Sequence, residues 1–403
     1  MYPVFFTIPG LHLDVAGYGV AMMVAFLVTI IWAANRAAKS GANPDVILNC
    51  GFIALLGGVL GGRVMYVAHY WDEFMARGSP LEVIIAIVDV RKGGLEVYGG
   101  FLAAVLGVFV YLWRWGHSLR WYFDIVAPSV ALGFGIGRIG CFLNGCCWGG
   151  LAPELPWAVQ FPFGSPPAMA QWLARDPGAA LPAELLVHGA GTMAMPREVL
   201  RASDEQLLAA RRAAEGGSGQ IDSLRAQRER ATSPEEIARL ERQIAELSRA
   251  HAGKVDALLL MVGRTMSRFD LSPQDLRRLA AQHPSLKVHP TQLYAAVALG
   301  LLAWMLSALY WRRARDGQVI FTLLVAEPIC RWTLEVLRAD NPVDTAGLTI
   351  SQFIALCLCA TGILGLIAIQ FAPPRSRRAR IWVPDDEAGA KEKSGARPAA
   401  SKA

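Results

Sequence analysis

Charge is scarce in this chain of 403 residues: 18% are Asp, Glu, Lys or Arg, against 54% hydrophobic. That balance excludes an ordinary soluble domain, because the apolar residues are bunched into runs long enough to cross a bilayer. The formal charge of +6 does not argue for nucleic acid, since the basic residues crowd into short loops and the tail, as membrane orientation demands. A C-x-x-C pair is absent although there are seven cysteines, which weakens a dithiol redox reading. No His or acid stands at ligand spacing to the cysteines, so no metal site and no cofactor are expected. Convincing internal repeats are lacking too, which disfavours a transporter built from repeated halves. The start, MYPVFFTIPG, has neither a basic n-region nor a small-residue cleavage site, so the first span is expected to be kept.

What the chain does have is seven apolar runs, at about 14–34, 46–68, 95–113, 123–144, 289–311, 318–338 and 349–372. Each is near the roughly 20 residues that a hydrocarbon core requires of a helix. The expected fold is therefore an all-α polytopic membrane protein with a soluble, mostly helical insertion. Basic residues follow alternate runs: Arg36 and Lys39, Arg114 and Arg120, Arg312, Arg313 and Arg315, then Arg375, Arg377, Arg378 and Arg380. The opposite loops carry Asp72, Glu73, Glu82, Asp340 and Asp344. The positive-inside bias then puts the N-terminus outside and the C-terminus in the cytoplasm.

The domain plan has spans one to four at 1–149, an extracytoplasmic insertion at 150–288, spans five to seven at 289–372 and a disordered tail at 373–403. In the insertion, Ser233, Pro234 and Glu236 read as a helix start, followed by a stripe of Ile237, Leu240, Ile244 and Leu247. Ser272 opens a second helix, and EGGSGQ near Gly216 reads as a flexible break.

Ionisable residues inside the runs mark sites or internal pairs, because each is costly in hydrocarbon. Arg63 lies in the second run and Arg138 in the fourth; Glu327, Arg331 and Glu335 repeat every four residues in the sixth, with Arg338 beyond them. Intrahelical pairing uses up the acids and leaves arginines over. A planar guanidinium suits phosphate, so an anionic lipid headgroup is the expected ligand. Paired glycines in GGVLGGR and VYGGFLAAVLG suit close helix approach.

The fourth run ends in GRIGCFLNGCCWGG, Gly137 to Gly150. This stretch resembles the membrane signature of the prolipoprotein diacylglyceryl transferases. The resemblance extends to AGYGVAMMVAF, GGVLGGRVMYV, GGLEVYGG, HPTQLY and CRWTLEVLRADNP, in family order over the membrane part. It implies seven spans and a cell (inner) membrane enzyme of lipoprotein biosynthesis. The implied reaction moves a diacylglyceryl group from phosphatidylglycerol to the lipobox cysteine of a preprolipoprotein, making a thioether and releasing glycerol phosphate, by a protein expected to be a monomer. By the same resemblance Arg138 and Arg331 are the catalytic arginines. Tyr18, Asn144, Gly149 and Gln292 join Arg138 at the substrate; Arg63, Glu335 and Arg338 are placed there as charges within the runs, and on chemical grounds His289 or Tyr98 handles the thiol proton. Four signature positions differ: Cys141 and Cys146 replace an asparagine and an acid, Tyr98 a histidine and Glu327 a tyrosine. Two rival functions stand beside this one: a membrane thiol oxidoreductase using Cys146 and Cys147, and an anionic-lipid transporter. The cysteines themselves read as small packing residues.

Overall fold

The computed structural model describes residues 4–8, 13–76, 79–89, 94–188, 191–230, 233, 237–243, 257–340, 347–379 and 381–382. Strands β1 (Val4–Ile8) and β2 (Leu13–Ala16) precede α1 (Gly17–Lys39) and α2 (Pro44–His69). Short helices α3 (Trp71–Met75) and α4 (Pro80–Val88) lead into α5 (Val97–Arg114) and α6 (Leu119–Asn144). After the insertion come three more helices, Thr291–Arg312, Gln318–Glu335 and Ile350–Ala368.

The insertion holds α7 (Pro166–Ala174), β3 (Leu186–His188), β4 (Thr192–Ala194), α8 (Asp204–Arg230), α9 (Ala257–Arg268) and α10 (Pro273–Gln282). The last three helices are accordingly α11, α12 and α13. Six helices among the described residues are long and apolar enough to cross a membrane: α1, α2, α5, α6, α11 and α13. The remaining expected run is also helical, as the 18-residue α12, but carries Glu327, Arg331 and Glu335.

The chain divides into two compact units. One comprises Phe6–Gly140, Gln292–Val336 and Asn341–Ala403. Its interior is built of small residues and a few large ones: Ala33, Ala37, Ala127, Ala131 and Ala303 pack with Leu112, Ile125, Leu306 and Tyr310. Its large apolar side chains face outward instead, with Leu60, Val64, Leu102 and Trp304 all exposed. In water such a surface would drive aggregation; in lipid it costs nothing, and close backbone approach supplies the packing energy. The α2–α5 seam shows this. A Cβ on Gly100 would come within 2.6 Å of the Gly58 carbonyl oxygen, and one on Gly99 within 2.7 Å of that of Gly61, so any larger residue would push the two helices apart.

Several buried polar groups in this unit are held by specific partners. Arg36, read as a loop cation, is buried within the bundle, donating to the Ile125 carbonyl (2.8 Å) and the Ser129 hydroxyl (3.0 Å). Asp124, fully buried on α6, accepts from the backbone N–H of Gly317 (2.8 Å), Val319 (3.0 Å) and Ile320 (2.9 Å). These are donors that the first turn of a helix leaves without partners, so Asp124 caps α12 from a neighbouring helix. Arg313 stands 3.3 Å from the same carboxylate.

The other unit comprises Met1–Phe5, Cys141–Thr291 and Leu337–Asp340. Its core joins Phe163, Leu185, Val187, Met195, Leu207, Val262, Met266 and Leu276. The Ser272 start signal appears as a capping box with Asp275. EGGSGQ, in contrast, does not break the chain: α8 runs through it. A capping exchange between Ser203 and Gln206 starts that helix, and buried Leu207, Ala210 and Ala214 anchor its first half, outweighing roughly 1 kcal/mol of propensity lost per glycine. Ile237 follows Ser233, to whose carbonyl its N–H donates at 3.1 Å; Pro234, Glu236, Ile244, Leu247 and Asp344 lie outside the described residues.

The Asp124 cap yields a stability prediction. Asp124→Ala leaves three N–H groups and Arg313 without their shared acceptor and should cost about 3 kcal/mol or more, read as a lowered midpoint in detergent unfolding. Asp124→Asn keeps an acceptor oxygen and should cost less. Equal, small losses in both would show that α12 is seated by other contacts.

Candidate active site

Three ionisable residues, Glu327, Arg331 and Glu335, lie at four-residue intervals along α12. Glu327 and Arg331 lie one turn apart with 3.9 Å between charged atoms. The Arg331 Nε also donates to the Ser351 hydroxyl on α13 at 2.7 Å, which fixes the direction of its guanidinium. Elsewhere along α13 glycine lets α12 come close: a Cβ on Gly362 would fall 2.9 Å from the Leu324 carbonyl carbon.

Arg138, on α6, is within electrostatic reach of the same Glu327. Among the described residues no hydrogen bond or ion pair closes on its guanidinium. Glu327 thus pairs with Arg331 and feels Arg138 at longer range. Tyr18 on α1 lies close by on the same stretch of α6, its ring 3.3 Å from where a Cβ on Gly140 would sit. Gln292 is buried at the start of α11. Tyr98, half exposed, lies in the first turn of α5.

Two residues expected at the substrate are occupied elsewhere. The Arg63 guanidinium donates to the carbonyls of Ile87 (2.7 Å), Ala86 (2.5 Å), Asp89 (3.1 Å) and Gly94 (2.8 Å). Three of these are at the C-terminal end of α4, whose last carbonyls lack helical partners and attract a cation. Arg63 is thus a clamp on the α4–α5 connection, a role hidden in the sequence because the short helix α4 was not expected there. Glu335 is buried and accepts from the Thr349 hydroxyl at 3.2 Å, joining the end of α12 to the start of α13.

The other unit gathers Asn144, Gly149, His289 and Arg338. Gly149 sits between two extended segments. On one side its N–H donates to the His289 carbonyl (3.1 Å), and the His289 N–H returns to the Gly150 carbonyl (3.0 Å). On the other, Gly149 bridges to Arg338, and the Gly150 N–H donates to the Leu337 carbonyl at 2.8 Å. A Cβ on Gly149 would lie 2.6 Å from that of His289 and 2.8 Å from the Thr291 methyl, so glycine is what lets the histidine strand close. Arg338 pairs with Asp340 at 3.0 Å, and the other Asp340 oxygen accepts from the Cys147 N–H, also at 3.0 Å. Thr291 completes the frame by donating to the Cys147 carbonyl at 2.7 Å.

The structure also brings together what the sequence scatters. The Sγ atoms of Cys141, Cys146 and Cys147 lie within 4.8 Å of one another. A tight turn does this: the N–H groups of Gly145 (2.9 Å) and Cys146 (3.1 Å) both reach back to the Cys141 carbonyl, and Gly145 and Cys147 take positive φ, 80° and 61°. No disulfide joins any described pair. Sequence reasoning missed the shared role of Glu327 and the supports Ser351, Thr291 and Asp340, since all three act from distant stretches of chain. For Asp340 a signal existed: an acid two residues after Arg338.

A helical multi-pass membrane protein with two arginines near one partly buried acid is the class that fold and site define. The chain belongs to the prolipoprotein diacylglyceryl transferase family, whose model matches residues 3–368. Among curated relatives, a phosphatidylglycerol–prolipoprotein diacylglyceryl transferase of Rhodopirellula baltica is 39% identical over 151 residues, 38% of this chain and 30% of that protein. Proteins of the same description from Clostridium tetani and Pseudoalteromonas translucida are 34% and 31% identical, over 40% and 48% of this chain and 61% and 79% of theirs. The chain thus spans less than two thirds of the length of the first two.

Gly149→Ala should force the His289 segment outward, at a cost of roughly 1–3 kcal/mol for overpacking. Hydrogen exchange should show faster exchange at the Gly149 and His289 amides. Unchanged protection would mean that the strands tolerate the extra methyl.

Proposed function

We propose that this chain transfers the diacylglyceryl group of phosphatidylglycerol to the lipobox cysteine thiol of a preprolipoprotein, forming a thioether and releasing glycerol phosphate. The observation that carries this reading is the nearness of Arg138 and Arg331 to one acid, Glu327, which pairs with Arg331 and reaches Arg138 only at longer range. Family membership and the names of the relatives support the substrates. On this reading the protein is a multi-pass enzyme of the bacterial inner membrane, N-terminus outside and C-terminus in the cytoplasm, working as a monomer.

The chemistry is displacement at an sp3 carbon. The peptide thiolate attacks the glyceryl carbon that bears the phosphate; the C–S bond forms, the C–O bond breaks, and its electron pair passes to the phosphate oxygen. The departing phosphate gains negative charge, and positioned guanidinium groups stabilise that gain more than they stabilise the diester. Arg138 and Arg331 take this role, with Tyr18 and Gln292 orienting the headgroup. Asn144, Gly149 and Arg338 shape the peptide side, and Glu335 holds the α12–α13 junction. Arg63 acts as a positioning residue through α4. His289 accepts the thiol proton, and Tyr98 donates to a headgroup oxygen.

The test is purified protein with phosphatidylglycerol and a lipobox peptide, followed by glycerol phosphate release. Arg138→Ala and Arg331→Ala should each abolish release, by at least a hundredfold, while the protein still inserts; Arg138→Lys should rescue poorly, because an ammonium cannot grip phosphate bidentately. Near-normal release in Arg138→Ala would reduce that arginine to helix packing.

The proton assignment gives a separate profile. His289→Gln should slow transfer most at low pH and recover as pH rises and the thiol ionises unaided, whereas Tyr98→Phe should slow it at every pH. A His289→Gln profile parallel to wild type removes the histidine from proton transfer.

A further inference from the structure

The three-sulfur cluster at the end of α6 is not used by the chemistry above. We infer that Cys141, Cys146 and Cys147 bind one zinc-class ion through three thiolates, and that its fourth position takes the incoming substrate thiol. The second part deepens the proposed transfer and rests on it.

The geometry is close to a coordination sphere. Tetrahedral zinc with Zn–S of about 2.3 Å keeps its sulfurs ~3.8 Å apart. The three Sγ atoms already lie within 4.8 Å of one another, so binding asks for a contraction of about 1 Å or less. The donor set is soft and selects zinc or its thiophilic neighbours over magnesium or calcium. Three protein ligands also leave one position open, the pattern of catalytic rather than structural zinc.

The turn is held from several directions. Cys147 occupies left-handed backbone, φ 61°, where a non-glycine residue is strained and where glycine would sit more easily. Its N–H is bonded by Asp340 and its carbonyl by Thr291, so both ends of the strained residue are fixed by side chains from outside the turn. Asn144 interacts with the Cys146 sulfur, and the Cys146 thiol points toward the Cys141 carbonyl at 3.7 Å. Supports of this kind orient metal ligands and set their strength.

The consequence bears on the thiol. A thiol that coordinates zinc loses its proton and remains a nucleophile. Four protons leave in all: three from the cysteines on metal binding, released to solvent, and one from the substrate, passed to His289. No oxidant or reductant takes part. The Zn–S bond to the substrate breaks as its sulfur alkylates, returning the open position.

Cobalt(II) reports on such a site. Titrated into the full-length, reduced, detergent-solubilised protein, it should give a sulfur-to-cobalt charge-transfer band that saturates at one equivalent and is bleached by zinc. Cys147→Ser should lower that band by about a third, as one of three thiolates is lost. A lipobox peptide should raise it by about a third, and the same peptide with Ser for Cys should leave it unchanged. No band, or a disulfide among the three cysteines in protein isolated without reductant, overturns the site. A band that the cysteine peptide leaves unchanged overturns the substrate's place on it. Glycerol phosphate release is measured on the same preparation: release without a cobalt band keeps the transferase reading and discards the metal.

Discussion

The fold of the charged site depends on the cap that Asp124 places on α12. Its carboxylate binds three N–H groups at the start of that helix, and so fixes α6 and α12 in register at one end. Arg138 is fourteen residues along α6 from Asp124, and Arg331 eleven along α12 from Ile320. At about 1.5 Å per residue these are about 21 and 16 Å from the cap, close enough in level for long side chains to meet. Glu327, seven residues from Ile320, falls between the cap and both arginines. Without a shared origin, the levels of the two arginines would be set only by apolar packing, which tolerates sliding.

Given that register, the charge count decides the chemistry. An arginine in an apolar bundle is costly unless its donors are filled, and the protein fills them for two others with nearby groups: carbonyls of α4 for Arg63, and Ile125 and Ser129 for Arg36. Arg138 and Arg331 stand apart in that both act on Glu327, Arg331 by an ion pair and Arg138 at longer range. The energetic case for a phosphate ligand is this contrast, drawn within one molecule, rather than the presence of arginine as such.

Much of the membrane architecture was legible because hydrophobic length is a one-dimensional property. Six of the apolar runs return as helices able to span, and the glycine pairs of α2 and α5 return as backbone contacts. What was hidden depended on backbone direction. Cys141 and Cys146 are five residues apart, a spacing that faces no common side of a helix, and only the left-handed turn at Gly145 and Cys147 folds their sulfurs together. Arg63 looked like a ligand contact because its carbonyl partners come from an unremarked short helix. EGGSGQ looked like a break because composition outvoted the capped, anchored helix that carries it.

The central claim is that the arginine pair holds a phosphate-bearing lipid in place of a second acid. Native mass spectrometry measures this directly, on protein released from vesicles of equal phosphatidylglycerol and phosphatidylethanolamine. The account predicts that the wild-type chain retains one phosphatidylglycerol selectively, and that Arg138→Ala retains neither lipid in preference. Equal retention of phosphatidylglycerol by both proteins, or no selectivity in the wild type, would contradict it.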